Sequence, residues 1–181
     1  DPTTVNDKAN LSTSIAASYV VSGESDEGAS SRHVALGDIN GDGFADGIFI
    51  NGSSENDQVF LNNGAGQFTL ASTLDDASDG AYGALADLDN DGDLDLVVAN
   101  CSDQGNQVYS NDGAGNFTLT ASLGSSDSRG VIIIDLDNDG MLDLVFANAG
   151  GGSSGQPNTI YMNEGAASFT LTQELGERRS M

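Results

Sequence analysis

The second of three closely related acidic segments in this chain reads Asp87-Leu-Asp89-Asn-Asp91-Gly92-Asp93-Leu-Asp95. The first, DINGDGFAD, occupies residues 38–46, and the third, DLDNDGMLD, occupies residues 135–143. All three fit D-x-[DN]-x-D-G-x-x-D, and the first Asp recurs after 49 residues (38 to 87) and again after 48 (87 to 135). Oxygen-bearing side chains at alternate positions, a Gly that permits a sharp turn and a closing Asp form a set of hard oxygen ligands, which is what Ca²⁺ prefers. The spacing predicts a repeated structural unit with one metal loop in each unit.

An EF-hand and a simple hairpin turn both fit these segments less well than a calcium loop of another kind. An EF-hand requires a bidentate Glu at position 12 and a helix on each side, whereas position 12 here is Phe49, Val98 or Phe146. A plain Asp-Gly hairpin turn does not account for three copies with four side-chain oxygens each, because clustered carboxylates repel one another without a cation. We therefore expect about three bound Ca²⁺ ions, one in each loop, and regard Mg²⁺ as less suitable because it keeps several of its waters.

We predict five ligands in each loop: the side chains at positions 1, 3, 5 and 9 and the main-chain carbonyl at position 7. The Asn at position 3 gives loop 1 less charge than the others, so we expect loop 1 to bind most weakly. The predicted ligands are Asp38, Asn40, Asp42, Phe44 and Asp46 in loop 1; Asp87, Asp89, Asp91, Asp93 and Asp95 in loop 2; and Asp135, Asp137, Asp139, Met141 and Asp143 in loop 3.

Short β-branched and apolar runs flank each acidic loop, and a second motif follows it: NNGAGQF at 62–68, NDGAGNF at 111–117 and NEGAASF at 163–169. None of the runs is long enough for a helix, and four short strands in each repeat are typical of a propeller blade. We predict an all-β chain with a flexible leader (1–14), an extra outer strand and connector (15–31), three four-stranded antiparallel blades (32–78, 79–126 and 127–176) and a tail (177–181). Since propellers close with four to eight blades, the ring is incomplete unless the chain self-associates or belongs to a larger propeller.

The charge balance disfavours two classes of partner. With 28 Asp and Glu against 5 Lys and Arg, the formal net charge is −23, which repels nucleic-acid phosphates and anionic membranes. No apolar run is long enough for membrane insertion. The single cysteine, Cys101, cannot form an internal disulfide. Because low-affinity calcium loops suit millimolar calcium, we expect an extracellular or cell-surface protein.

Four residues ahead of the predicted inner strands are candidates for ligand binding: Arg32, His33, Tyr82 and Arg129. In a propeller these positions lie near the central axis, on the face opposite the acidic loops, where arginines and an aromatic ring could hold an anionic or sugar ligand. The alternative is that the arginines offset nearby acids. With one His and no G-x-S-x-G motif, we do not expect an enzyme.

The acidic loops and the N-x-G-x-G-x-F elements at 62–68 and 111–117 resemble the FG-GAP/VCBS repeats of integrin α-subunit propellers and of many secreted proteins. The third copy departs from that element, with Ala167 in place of Gly66 and Gly115. The resemblance implies a β-propeller with structural calcium in the loop that joins the first two strands of each blade. It leads us to expect a calcium-stabilised, non-catalytic module for protein or glycan binding, for example in cell adhesion. The alternatives are a sugar-binding lectin and an accessory domain of a larger secreted enzyme.

Overall fold

The structure is a computed structural model that describes residues 30–76, 78–149 and 155–176. These residues form twelve strands: β1 (Ser31–Gly37), β2 (Asp46–Asn51), β3 (Gln58–Asn62), β4 (Phe68–Thr73), β5 (Gly80–Ala86), β6 (Asp95–Asn100), β7 (Asn106–Asn111), β8 (Phe117–Leu123), β9 (Ser128–Ile134), β10 (Asp143–Asn148), β11 (Asn158–Asn163) and β12 (Phe169–Leu175). The predicted leader and tail lie outside the described residues. Of the predicted outer strand and connector only Ser30 and Ser31 are described, and Ser31 already begins β1.

The strands form three sheets of four, each antiparallel and in chain order: β1 to β4, β5 to β8 and β9 to β12. This confirms the prediction of an all-β chain with three four-stranded blades. Over the described residues the blades follow one another in sequence and do not close into a ring. Among the described residues no helix is long and apolar enough to cross a membrane.

Blade 2 is covered on both of its faces, and β6 shows how. Leu96 and Val98 join the core between blades 1 and 2, whereas Val97 and Ala99 join the core between blades 2 and 3. Successive side chains on a strand point to opposite faces, so a blade that is covered on both faces needs an uninterrupted apolar strand. All six residues of β6 are buried, and the four apolar ones, at 96–99, are buried for that reason.

The same hydrogen bond joins both pairs of neighbouring blades. Asn111 Nδ2 of blade 2 donates to the Ile39 carbonyl of blade 1 at 2.8 Å, and Asn163 Nδ2 of blade 3 donates to the Leu88 carbonyl of blade 2 at 2.8 Å. Both asparagines begin an N-x-G element, and both carbonyls belong to position 2 of an acidic loop. Loops 1 and 2 are thereby each held to the blade that follows.

Candidate metal centres and axial face

The three acidic loops share one framework of hydrogen bonds from backbone N–H groups to carboxylates. In loop 2 the Asp87 carboxylate accepts bonds from the N–H groups of Asp91 (3.1 Å) and Gly92 (3.0 Å), and Asp91 accepts one from Asp93 N–H (2.9 Å). Loops 1 and 3 repeat the bond from the position-6 glycine to the first Asp, at 2.8 Å and 3.1 Å. These glycines have φ values of 88°, 98° and 90°, which an L-residue adopts only with strain. The loop therefore wraps its backbone around its own carboxylates.

Loops 2 and 3 each bring three carboxylates together. Oxygens of Asp87, Asp89 and Asp95 lie within 4.8 Å of one another, and so do oxygens of Asp135, Asp137 and Asp143. Ligand oxygens lie about 2.3–2.6 Å from Ca²⁺, so two oxygens on opposite sides of one ion are separated by roughly 5 Å. The predicted ligands at positions 1, 3 and 9 are thus close enough to share a single ion, and they offer only the hard oxygens that calcium prefers.

Loop 1 differs at position 3, as the sequence indicates. Asn40 supplies an amide oxygen, which accepts a hydrogen bond from Asp42 N–H at 3.0 Å. Within the described part of the chain, clusters of three acidic side chains are found in loops 2 and 3 and not in loop 1. Loop 1 therefore has a lower negative charge for an incoming cation.

The closing Asp of each loop is buried and has a structural role of its own. Asp95 is fully buried, and its two oxygens accept hydrogen bonds from Leu88 N–H (2.9 Å) and Asn111 N–H (3.0 Å). Asp46 and Asp143 make the same pair of contacts in loops 1 and 3. A carboxylate has about four lone-pair sites, so this residue can fasten the loop to the third strand of its blade and still bind a cation.

Burial also affects how the carboxyl groups of loop 2 ionise. Burial raises the pKa of Asp95 and of Asp89, and the neighbouring carboxylates of the loop contribute to both shifts. Buried like charges are costly without a counter-ion. A divalent cation would offset this cost.

Position 7 of each of the first two loops points its side chain towards the N-x-G element. A Cβ atom added to Gly64 would lie 2.5 Å from the Phe44 ring, and one added to Gly113 would lie 2.5 Å from the Asp93 carboxylate. The first Gly of the element is thus required by the side chain that packs over it. The role of the Phe44, Asp93 and Met141 carbonyls as ligands, like the positions of Asp42, Asp91 and Asp139 around an ion, stays a prediction.

The candidate arginines of the axial face both pair with acids. Arg32 forms an ion pair with Asp79 of the next blade (2.8 Å), and Arg129 forms one with Asp127 of its own blade (3.0 Å). Asp79 and Asp127 were not predicted, although their recurrence 48 residues apart (79 to 127) just before an inner strand was a usable signal. Hydrogen bonds, first of all from the Ser102 hydroxyl, lower the pKa of Asp79. The arginines therefore do offset nearby acids.

His33 and Tyr82 form an aromatic pair across the first blade interface. Their ring centroids lie 3.9 Å apart with a tilt of 33°, and His33 Nδ1 accepts a hydrogen bond from Gly83 N–H at 3.3 Å. Partial burial lowers the pKa of His33. The predicted candidates thus divide into two groups, with His33 and Tyr82 in contact and the arginines in separate ion pairs.

A cavity of about 330 Å³ brings together Tyr82 and Arg129. Its other walls are mostly apolar and come from blade 3, including Ile132, Val145 and Leu175. Tyr82 and Phe146 are its aromatic residues. An apolar cavity with aromatic side chains and a few polar groups is the usual form of a small-ligand site. Of the four predicted ligand-binding residues, the structure places these two in one cavity.

Comparisons with known proteins agree with this architecture. The model of the FG-GAP-like repeat matches the chain twice, over residues 38–98 and 87–146. No curated protein sequence matches the chain. Among solved structures, the chain resembles an Agrocybe aegerita lectin, described as specifically recognising non-reducing terminal N-acetylglucosamine, with a TM-score of 0.51 and 23% sequence identity.

The alignment with that lectin covers 78% of this chain and 37% of the lectin chain. Because the sequence identity is only 23%, the similarity to the lectin shows a shared fold and nothing about the ligand of this chain. The two matches to the repeat model together span more than half of the chain and include all three acidic loops. This chain therefore belongs to the FG-GAP-like repeat family.

Proposed function

We propose that this chain is a calcium-stabilised, extracellular or cell-surface module that binds a glycan and performs no catalysis. The observation that carries the proposal is the cavity shared by Tyr82 and Arg129. In this proposal the acidic loops do not bind the glycan, because their carboxylates already accept hydrogen bonds from the N–H groups of the loop backbone. Calcium then stabilises the blades, and the cavity holds the ligand.

The cavity has the chemical features that a sugar requires. The Tyr82 ring offers an apolar face for the C–H groups of a pyranose, and its contact with His33 fixes the orientation of the ring. Arg129 contacts Asp127 through Nη2, and a guanidinium has five N–H donors. Donors therefore remain for sugar hydroxyls. The lectin of similar fold, which is described as recognising a terminal sugar, supports the choice of a glycan over a protein ligand.

The test is binding of the 181-residue protein to a glycan array in millimolar calcium. We expect retention of a small set of glycans, lost on Tyr82→Ala or Arg129→Ala. Leu119→Ala is the matched control, because Leu119 is exposed on β8 and does not line the cavity. An array without any bound glycan, probed with folded and calcium-loaded protein, would overturn the glycan proposal.

A further inference from the structure

Each end of the three-blade stack presents an exposed apolar face. We call the end of blade 1 the leading face: exposed Leu36, half-buried Phe49 and Phe68, and buried Phe60, which together line a small apolar cavity. We call the end of blade 3 the trailing face: Ile132, Ile134, Leu136 and Leu175, all of them exposed. Exposed patches of this kind on a soluble protein indicate an interaction surface.

The two faces are the complementary halves of an interface that the chain already makes twice. Leu85 stands in blade 2 where Leu36 stands in blade 1, and it packs into the core between those blades, whereas Leu36 is 64% exposed. Leu136 stands in blade 3 where Ile39 and Leu88 stand in the earlier blades. Those two are 1% and 0% exposed, and Leu136 is 43% exposed. The leading and trailing faces therefore match the two sides of the interfaces between blades that the chain already makes.

The two ends also carry the donor and the acceptor of one further hydrogen bond of the kind that joins neighbouring blades. Asn62 is the leading-face equivalent of Asn111 and Asn163, and its Nδ2 donates to the Ala45 carbonyl of its own blade at 3.0 Å. Asn111 and Asn163 make that same bond, at 3.2 Å, together with the bond to the preceding blade. An amide nitrogen has two donors, so Asn62 can donate to one further carbonyl. The matching acceptor at the trailing face is the Leu136 carbonyl.

We propose that two copies of this chain associate head to tail, with the leading face of each covering the trailing face of the other. A contact between two different faces generates a closed ring or an open filament. Propellers close with four to eight blades, so two copies of three blades fall within that range and three copies do not. In this proposal the occupant of each face is a second copy of the 181-residue chain, and the product is a ring of six blades.

The new contact would be weaker than the two interfaces within the chain. Asp79 accepts a hydrogen bond from Ser53 N–H of the preceding blade, and Asp127 accepts one from Ser102 N–H. Ser30 stands at the equivalent position of blade 1, so the carboxylate acceptor is missing there. We therefore expect dissociation on dilution while the blades remain folded.

The test is the light-scattering mass of the 181-residue protein in calcium. Ile132 and Leu175 of the trailing face also line the cavity proposed for a glycan, so the mass is measured without any glycan and a failure of glycan binding leaves this result unchanged. We expect twice the chain mass of 18.4 kDa. Leu36→Asp and Leu136→Asp should each give monomers, because each variant places a charge in both contacts of the ring. Leu119→Asp, an exposed residue of blade 2 outside both faces, is the matched control and should remain dimeric.

A mixture of the Leu36→Asp and Leu136→Asp variants distinguishes a head-to-tail contact from a contact between two leading faces or two trailing faces. In a mixed pair the intact leading face of one copy meets the intact trailing face of the other, so association should recover in part. A monomeric wild-type protein, an open polymer, or a dimer that both variants leave intact would overturn the proposal. If an Asp variant fails to fold, Leu36→Gln and Leu136→Gln provide the same comparison with a smaller perturbation.

Discussion

Asp57 and Asp76 lie next to each other at the side of blade 1 that faces blade 2, and Asp57 N–H donates a 3.3 Å hydrogen bond to Asp76 Oδ1. Asp57 is fully buried, and its Oδ2 accepts no hydrogen bond from the described residues. Burial, with a contribution from the Asp76 carboxylate, raises the pKa of Asp57 to about 8. In blades 2 and 3 the same position is Asn106 or Asn158. An acid thus occupies a site that the other blades fill with a neutral amide.

Stability should fall as pH rises from about 4 to about 8, because the folded state keeps a proton on Asp57 that the unfolded chain releases above the ordinary Asp pKa. Asp57→Asn should flatten this dependence and raise the free energy of unfolding at pH 8 by about 1–3 kcal/mol. The amide oxygen can still accept the Asn51 N–H bond, which is 2.7 Å in the wild type. Urea titrations at pH 5 and pH 8 in saturating calcium measure both effects.

Asp75→Asn is the matched control, because it removes the same formal charge from an exposed neighbour. Equal stability gains from the two variants at pH 8 would show that net charge, and not the burial of Asp57, is responsible.

Removal of calcium should destabilise all three blades together. A ligand that binds only the folded state stabilises it by roughly 2.7 kcal/mol per site at a hundredfold excess over Kd. For a chain of this size 1 kcal/mol corresponds to about 2–4 °C in Tm, so EGTA should lower the Tm by about 10 °C or more. An unchanged melting curve in EGTA, with magnesium absent, would contradict structural calcium.

Loop 1 should be the weakest calcium site, and Asn40→Asp should strengthen it. The substitution gives loop 1 the set of acids found in loops 2 and 3, and we expect a gain of roughly tenfold in affinity. Asp89→Asn is the reciprocal change and should weaken loop 2 to the level of loop 1. Calorimetric titration of both variants measures these affinities. If loop 1 of the wild-type protein proves to be the tightest site, charge does not control the order of affinities.

Substitution of Asp95 should destabilise the protein with or without calcium, whereas substitution of Asp91 should destabilise it mainly when calcium is bound. Asp95→Ala leaves two backbone N–H groups without their carboxylate acceptor and should cost about 3 kcal/mol even in EGTA. Asp91 is exposed, so Asp91→Ala should cost less than about 1 kcal/mol in EGTA and more in calcium. Chemical denaturation of both variants in calcium and in EGTA measures the four changes in the free energy of unfolding. Equal losses from the two variants in EGTA would contradict a structural role for Asp95.

The blades were predictable from the sequence because three copies of one pattern fix the strands and their order. The convergence of Asp87, Asp89 and Asp95 was predictable for the same reason. The Asp57–Asp76 contact was not, because Asp76 lies outside the repeated motifs and 19 residues separate the two acids. The role of Arg32, His33, Tyr82 and Arg129 in ligand binding stays a prediction. The ion pairs that occupy Arg32 and Arg129 could not be predicted from the motifs, because Asp79 and Asp127 lie outside them.

The bonds from Asn111 to Ile39 and from Asn163 to Leu88 have a consequence for the evolution of this chain. Each blade offers a carbonyl on one side and an asparagine amide on the other, so every blade is compatible with any copy of itself. Duplication of one whole repeat within the gene would add a blade without creating an unmatched buried surface. A partial duplication would break the pattern at both ends. The stack of blades therefore admits a change in the number of blades only in steps of one complete repeat.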